Sequence, residues 1–106
     1  MIKQCVRNAA HAVLVVCALL MASGCGGVLY AANAGGAAAK LQEAEELGAA
    51  SRAPYEYYYA REHLKKAMEE AAQGDYGDAL NFLNSAEEYA DKAIKFSREA
   101  HRGAGR

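Results

Sequence analysis

The chain has 106 residues, 53% of them of hydrophobic type, with 12 basic and 13 acidic side chains and a formal net charge of −1. This length allows one small domain at most, and the charge balance supplies no basic face of the kind that nucleic-acid binding requires. Charge is also unevenly distributed: residues 8–39 contain no Asp, Glu, Lys or Arg, and all of the acids follow Cys25.

The first segment has the three-part layout of an export signal. Lys3 and Arg7 make a positive start, Ala9 to Met21 is apolar apart from His11, and the small residues Ala22, Ser23 and Gly24 follow. The apolar run is short for a membrane-spanning helix, which needs about 20 predominantly apolar residues. The sequence Ala22-Ser23-Gly24-Cys25 resembles the bacterial lipobox, although Leu is usual where Ala22 stands. That resemblance implies cleavage between Gly24 and Cys25, and diacylglycerol on the Cys25 thiol. Small side chains suit a narrow protease site, and a thiol is the nucleophile suited to thioether formation. Two other outcomes fit the same residues. An ordinary signal peptidase, cutting after Gly24 or at Ala32-Asn33-Ala34, releases a soluble periplasmic protein, and an uncleaved segment spans the membrane.

Maturation at Cys25 leaves 82 residues with 10 basic and 13 acidic side chains, a net −3. Cys5 and Cys17 leave with the signal and Cys25 is acylated, so no cysteine remains for a disulfide or a metal site. No cofactor is expected beyond the covalent lipid on Cys25. The sorting rule for bacterial lipoproteins retains those with an acidic residue after the cysteine in the inner membrane. Gly26 stands there, which favours the outer membrane.

Residues 25–36 are small and uncharged apart from Val28, Leu29 and Tyr30, and read either as a tether or as the first turns of a helix. Gly35-Gly36 marks a weak point, since each Gly costs about 1 kcal/mol against Ala inside a helix. A helix is predicted over 37–50, with Ala37, Leu41, Ala44 and Gly48 on one thin stripe that docks on other helices. Pro54 breaks the chain and suits the first turn of a second helix, predicted over 54–73. Its apolar line is Tyr57, Ala60, Leu64, Ala67 and Ala71, spaced three and four apart, with Leu64 and Leu83 expected among the most buried side chains. Gly74 suits the left-handed position after that helix and Asp75 the cap of the next. The third helix, predicted over 76–101, repeats Tyr76, Leu83, Ala90 and Ser97 every seven residues beside Ala79, Ala86, Ala93 and Ala100. So short a connection makes an antiparallel hairpin, and residues 103–106 are expected to fray. The fold class is therefore all-α: a helical hairpin with an additional N-terminal helix, residues 37–102 forming the alanine-rich domain.

Ala53-Pro54, the run of Ala and Leu that follows, Gly74-Asp75-Tyr76 with Ala79-Leu80, and Ala at every third or fourth position beyond resemble domain of unknown function 4398 over roughly 30–101. That resemblance implies a bacterial envelope protein, often a lipoprotein, with no established activity. The turn also resembles a tetratricopeptide hairpin, but the chain holds no internal 34-residue repeat.

Catalytic and metal signatures are missing from the sequence. His63 and His101 have no second histidine four residues away, and no nucleophile–base pair or phosphate loop is present. The protein is therefore expected not to be an enzyme and to take no small-molecule substrate. The unusual feature is Tyr55, Tyr57, Tyr58 and Tyr59 crowded into one turn. Tyr57 falls on the core line, while Tyr55, Tyr58 and Tyr59 point elsewhere. They read either as a half-exposed belt packed on the first helix or as a contact patch for an envelope protein or a second copy, because Tyr is enriched at interfaces.

Overall fold

The computed structural model describes residues 1–105, and the side chains of 21–25 are not among the described parts. The fold is all-α: the described residues form four helices in the order α1 (Ile2–Glu46), α2 (Ala49–Arg52), α3 (Pro54–Ala72) and α4 (Tyr76–Ala104), and no strand occurs among them.

The hairpin forms where its local signals lie. Pro54 occupies the first turn of α3, where its missing N–H costs nothing, and Glu56 lies in the same turn. At the other end Gly74 takes φ 82°. Its N–H bonds Ala71 C=O at 3.0 Å and the Asp75 N–H bonds Glu70 C=O at 3.0 Å, the paired closure of a Schellman motif. The Asp75 carboxylate then accepts from the Asp78 N–H at 3.2 Å and caps α4. The chain reverses within three residues, so α3 and α4 pack antiparallel.

α1 both starts earlier and ends earlier than the stretch 37–50. It runs unbroken through residues 26–36, for which tether and helix were both open, and through Gly35-Gly36. Nothing lies within 4 Å of a Cβ at either glycine, so their cost is the conformational one alone, and docking of the following turns offsets it. The stop comes at Gly48, whose φ of 73° is left-handed. Gly48 is thus a terminator and not a member of the docking stripe. The Arg52 guanidinium donates to Leu47 C=O at 3.0 Å and helps to close this corner.

The described part of α1 from Gly26 onward lies parallel to α4 and completes a three-helix bundle. Two apolar clusters hold it. Ala37, Ala67 and Leu83 form one, with Tyr30, Leu64 and Phe82 packed against it. Ala44, Ala49, Ala53, Tyr57, Ala93 and Ile94 form the other. Leu83 is 1% exposed and Ala79, Ala86, Ala90, Ala93 and Ser97 are buried with it, as the seven-residue repeat predicts, but at the ends of the repeat Tyr76 is half-buried and Ala100 exposed. Leu64 differs from expectation: it is only half-buried, at the edge of its cluster. Alanine on both sides of the seam brings the helix backbones close, and a Leu at the rim then finds only one side covered. Outside the clusters, Lys40 of α1 pairs with Glu87 at 2.7 Å and Asp91 at 2.8 Å on α4, and Glu43 pairs with Arg98. Helix α4 continues to Ala104, past the point where fraying was expected.

Ile2–Leu20 stands apart from the bundle. It is long and apolar enough to cross a membrane, and its large side chains, from Val6 to Leu20, are exposed.

Candidate functional site

Of the α3 tyrosines, Tyr57 joins Ala44 of α1 in a buried cluster, whereas Tyr55 and Tyr59 turn to α4. Glu87 and Asp91 face Lys40 of α1, and Tyr89, two residues from each, points roughly 160–200° away around α4. It meets the flank of α3 that carries Tyr55, Tyr59 and His63. Tyr59 stacks on Tyr89 with ring centroids 3.9 Å apart and planes at 29°. His63 stacks on the same Tyr59 ring at 3.9 Å and 15°. Tyr55 leans on both tyrosines, 5.9 Å from Tyr59 and 6.1 Å from Tyr89, and Phe82 lies 5.8 Å from His63. Five rings thus form a ladder along the outer groove between α3 and α4. The spacing explains it: Tyr55, Tyr59 and His63 recur every four residues on α3, and Phe82 and Tyr89 are seven apart on α4.

Hydrogen bonding and charge fix the ladder's edges. His63 Nδ1 donates to Tyr59 C=O at 2.9 Å, which orients the imidazole flat against the tyrosine ring. Lys92 lies over the Tyr89 ring at 4.3 Å, and its other contact is Glu88 at 2.7 Å. The Lys92 charge pulls the Tyr89 hydroxyl pKa down, but Tyr55, desolvation and Tyr59 outweigh it, so the net direction is upward.

The three candidate tyrosines therefore separate. Tyr59 is the half-buried centre of the ladder. Tyr55 is 64% exposed at its end. Tyr58 points away from both: its ring meets Tyr57 edge-on at 5.1 Å, lies under the Arg61 guanidinium at 4.8 Å, and is 43% exposed. Together with Pro54, Glu62 and His63 they line one shallow, open, largely apolar depression. Phe82, Tyr89 and Lys92 are the participants that sequence reasoning missed. Their signal was present, since Phe82 and Tyr89 share a face of α4 that the alanine seam does not use.

Elsewhere, the carboxylates of Glu70, Asp75 and Asp78 converge at the α3–α4 turn, with oxygens within 4.8 Å of one another. Local structure accounts for two of them, because Asp75 is the α4 cap and Glu70 pairs with Lys66 at 2.8 Å. His101 lies at the opposite end of the bundle, beside Leu47, Arg98 and Arg102, and is not brought to His63. Gly24 and Cys25, the expected cleavage and lipidation residues, have side chains outside the described residues. Cys5 and Cys17 are free and exposed.

A family model described as a domain of unknown function (DUF4398) matches residues 33–102. These residues span α1 from Asn33 onward and the hairpin as far as Arg102, including every rung of the ladder. No curated protein matches the chain, and no solved structure does.

Proposed function

The chain belongs to the DUF4398 family, whose description names no activity, and from that premise we propose a non-catalytic structural or protein-interaction module anchored in a bacterial envelope by lipid on Cys25. One observation carries the anchoring: an exposed apolar stretch, Ile2–Leu20, runs directly into Ala22-Ser23-Gly24-Cys25. In water the exposed apolar side chains of that stretch are costly, and a signal inserted in a membrane removes the penalty. Lipidation then keeps the mature domain on the periplasmic face. Gly26 after the cysteine favours the outer membrane. The interaction role rests on the aromatic ladder with its exposed end at Tyr55, and on the exposed Tyr58 beside it, which suit an envelope protein or a second copy.

Metabolic labelling with radioactive palmitate tests the anchor. The wild-type chain is expected to take up label and to begin at an acylated Cys25, and Cys25→Ala to lose the label and retain its signal. An unmodified mature N-terminus at Gly26 or Gly35 refutes the lipid anchor and supports the soluble alternative. An unlabelled chain that keeps Met1 and stays in the membrane supports the uncleaved span.

A further inference from the structure

The bundle leaves almost no free chain between itself and residue 25. Gly26 already packs against α4: a Cβ there would lie 3.2 Å from Tyr76 Cβ and 3.3 Å from Tyr76 Cδ2. Gly27 is as close to the rim of the same ring, at 3.4 Å from Tyr76 Cζ and Oη. One turn on, Tyr30 meets Tyr76 with ring centroids 6.1 Å apart. Glycine at 26 and 27 allows the first turn of α4 to sit directly on α1. An anchor at Cys25 is therefore joined to the end of the bundle that carries the α3–α4 turn.

The geometry points to a membrane-resting surface: the bundle stands on the bilayer on the end formed by Gly26–Tyr30 and the 73–78 turn, with Tyr30 and Tyr76 in the headgroup layer. This rests on the anchoring proposed above and holds whether the anchor is lipid or span. Five residues of helix place Tyr30 about 7–8 Å beyond residue 25. The headgroup region on each side of a bilayer is of similar depth, about 5–8 Å, and it is where Tyr rings concentrate.

Two further features of this end fit that occupant. Val28 is 72% and Leu29 54% exposed on the side of α1 away from Tyr76, and no charged residue appears on α1 between Arg7 and Lys40. A surface in water gains nothing from such a turn, whereas the headgroup–acyl boundary covers it. Conversely, Glu70, Asp75 and Asp78 cluster at the turn itself. Carboxylates do not enter hydrocarbon cheaply, so they hold the turn at headgroup depth. The opposite end, with Gly48, Pro54 and the C-terminal turns of α4, is then held about 30 Å from the surface, 20 residues of α1 being traversed between Gly26 and Glu46.

The chain has no tryptophan, so a single introduced indole reports depth. The full-length protein, processed in cells and reconstituted into phosphatidylcholine vesicles carrying headgroup nitroxide lipid, is compared as Tyr76→Trp, Gly77→Trp and Phe96→Trp. Gly77 offers a second site at the turn, because a Cβ there meets only Asp75 Oδ1 at 3.7 Å. Nitroxide is expected to quench Tyr76→Trp and Gly77→Trp severalfold more than Phe96→Trp. Equal quenching, or stronger quenching of Phe96→Trp, in protein that sediments with the vesicles overturns the orientation while leaving the anchor intact. Protein left in the supernatant overturns the anchor, and the orientation with it.

Discussion

Leu83 and Ser97 are both fully buried on α4 and should respond in opposite directions to the same truncation. Leu83 is the largest fully buried apolar side chain among the described residues, and Leu83→Ala leaves a cavity between Ala37 and Ala67 that the partly buried Leu64 and Phe82 only flank. Such changes cost about 2–5 kcal/mol, a large part of a small domain's stability. Leu64→Ala, at the rim, is expected to cost clearly less. The Ser97 hydroxyl is buried with no hydrogen-bond partner. Leaving such a group unmade costs about 1–3 kcal/mol, and the position sits in a seam already built for Ala. Ser97→Ala is therefore expected to raise the melting temperature. Thermal melts of the three variants check the order, and a Ser97→Ala protein less stable than wild type would reveal a partner for that hydroxyl.

Among the elements, the hairpin was legible because its signals are local. Pro54, Gly74 and Asp75 each act on their own backbone, and the structure uses all three. The course of α1 was less legible. Gly35-Gly36 weakens a helix locally, but Ala37, Leu41 and Ala44 dock onto α4, and tertiary packing overrides propensity. Gly48 read as part of a stripe because only its backbone conformation makes it a stop. The aromatic ladder was half legible: four tyrosines in one turn announce a surface, whereas the pairing with Phe82 and Tyr89 depends on how α3 and α4 rotate against each other.

The α1–α4 interface carries its own pH signature. The Asp91 carboxylate, then Glu87, hold the Lys40 pKa above its ordinary value of 10.5. A raised value in the folded state means that the contribution is fully present below 10.5 and is lost as pH rises through the folded value. The pair is largely solvated, so the effect is small. The difference in melting temperature between wild type and Lys40→Met is expected to be constant up to about pH 9 and to shrink toward about pH 11. A difference that stays flat across that range would show that Lys40 acts through its methylene stem.

For the molecule as a whole, the division of the tyrosines tells stability from association. Tyr59 is stacked between Tyr89 and His63, so Tyr59→Ser should lower monomer stability. Tyr55 and Tyr58 are exposed, and the double change Tyr55→Ser with Tyr58→Ser should leave the monomer melt nearly unchanged while weakening self-association or envelope crosslinking. Sedimentation of the acylated protein in detergent, together with crosslinking in intact cells, measures both. Unaltered association in the double variant would leave these tyrosines as a solvated belt.

The parallel packing of α1 on α4 also determines how the molecule carries mechanical load. In a chain anchored as proposed, a pull would enter at Gly26 and run along the α1 axis, while a partner gripping the ladder would pull back through α3 and α4. The α1–α4 boundary would then be loaded in shear. Ala37 and Ala44 give it a smooth track, with little side-chain relief to resist sliding. The Lys40 pairs with Glu87 and Asp91, and the Glu43 pair with Arg98, cross that boundary and would be among the first contacts to be stretched.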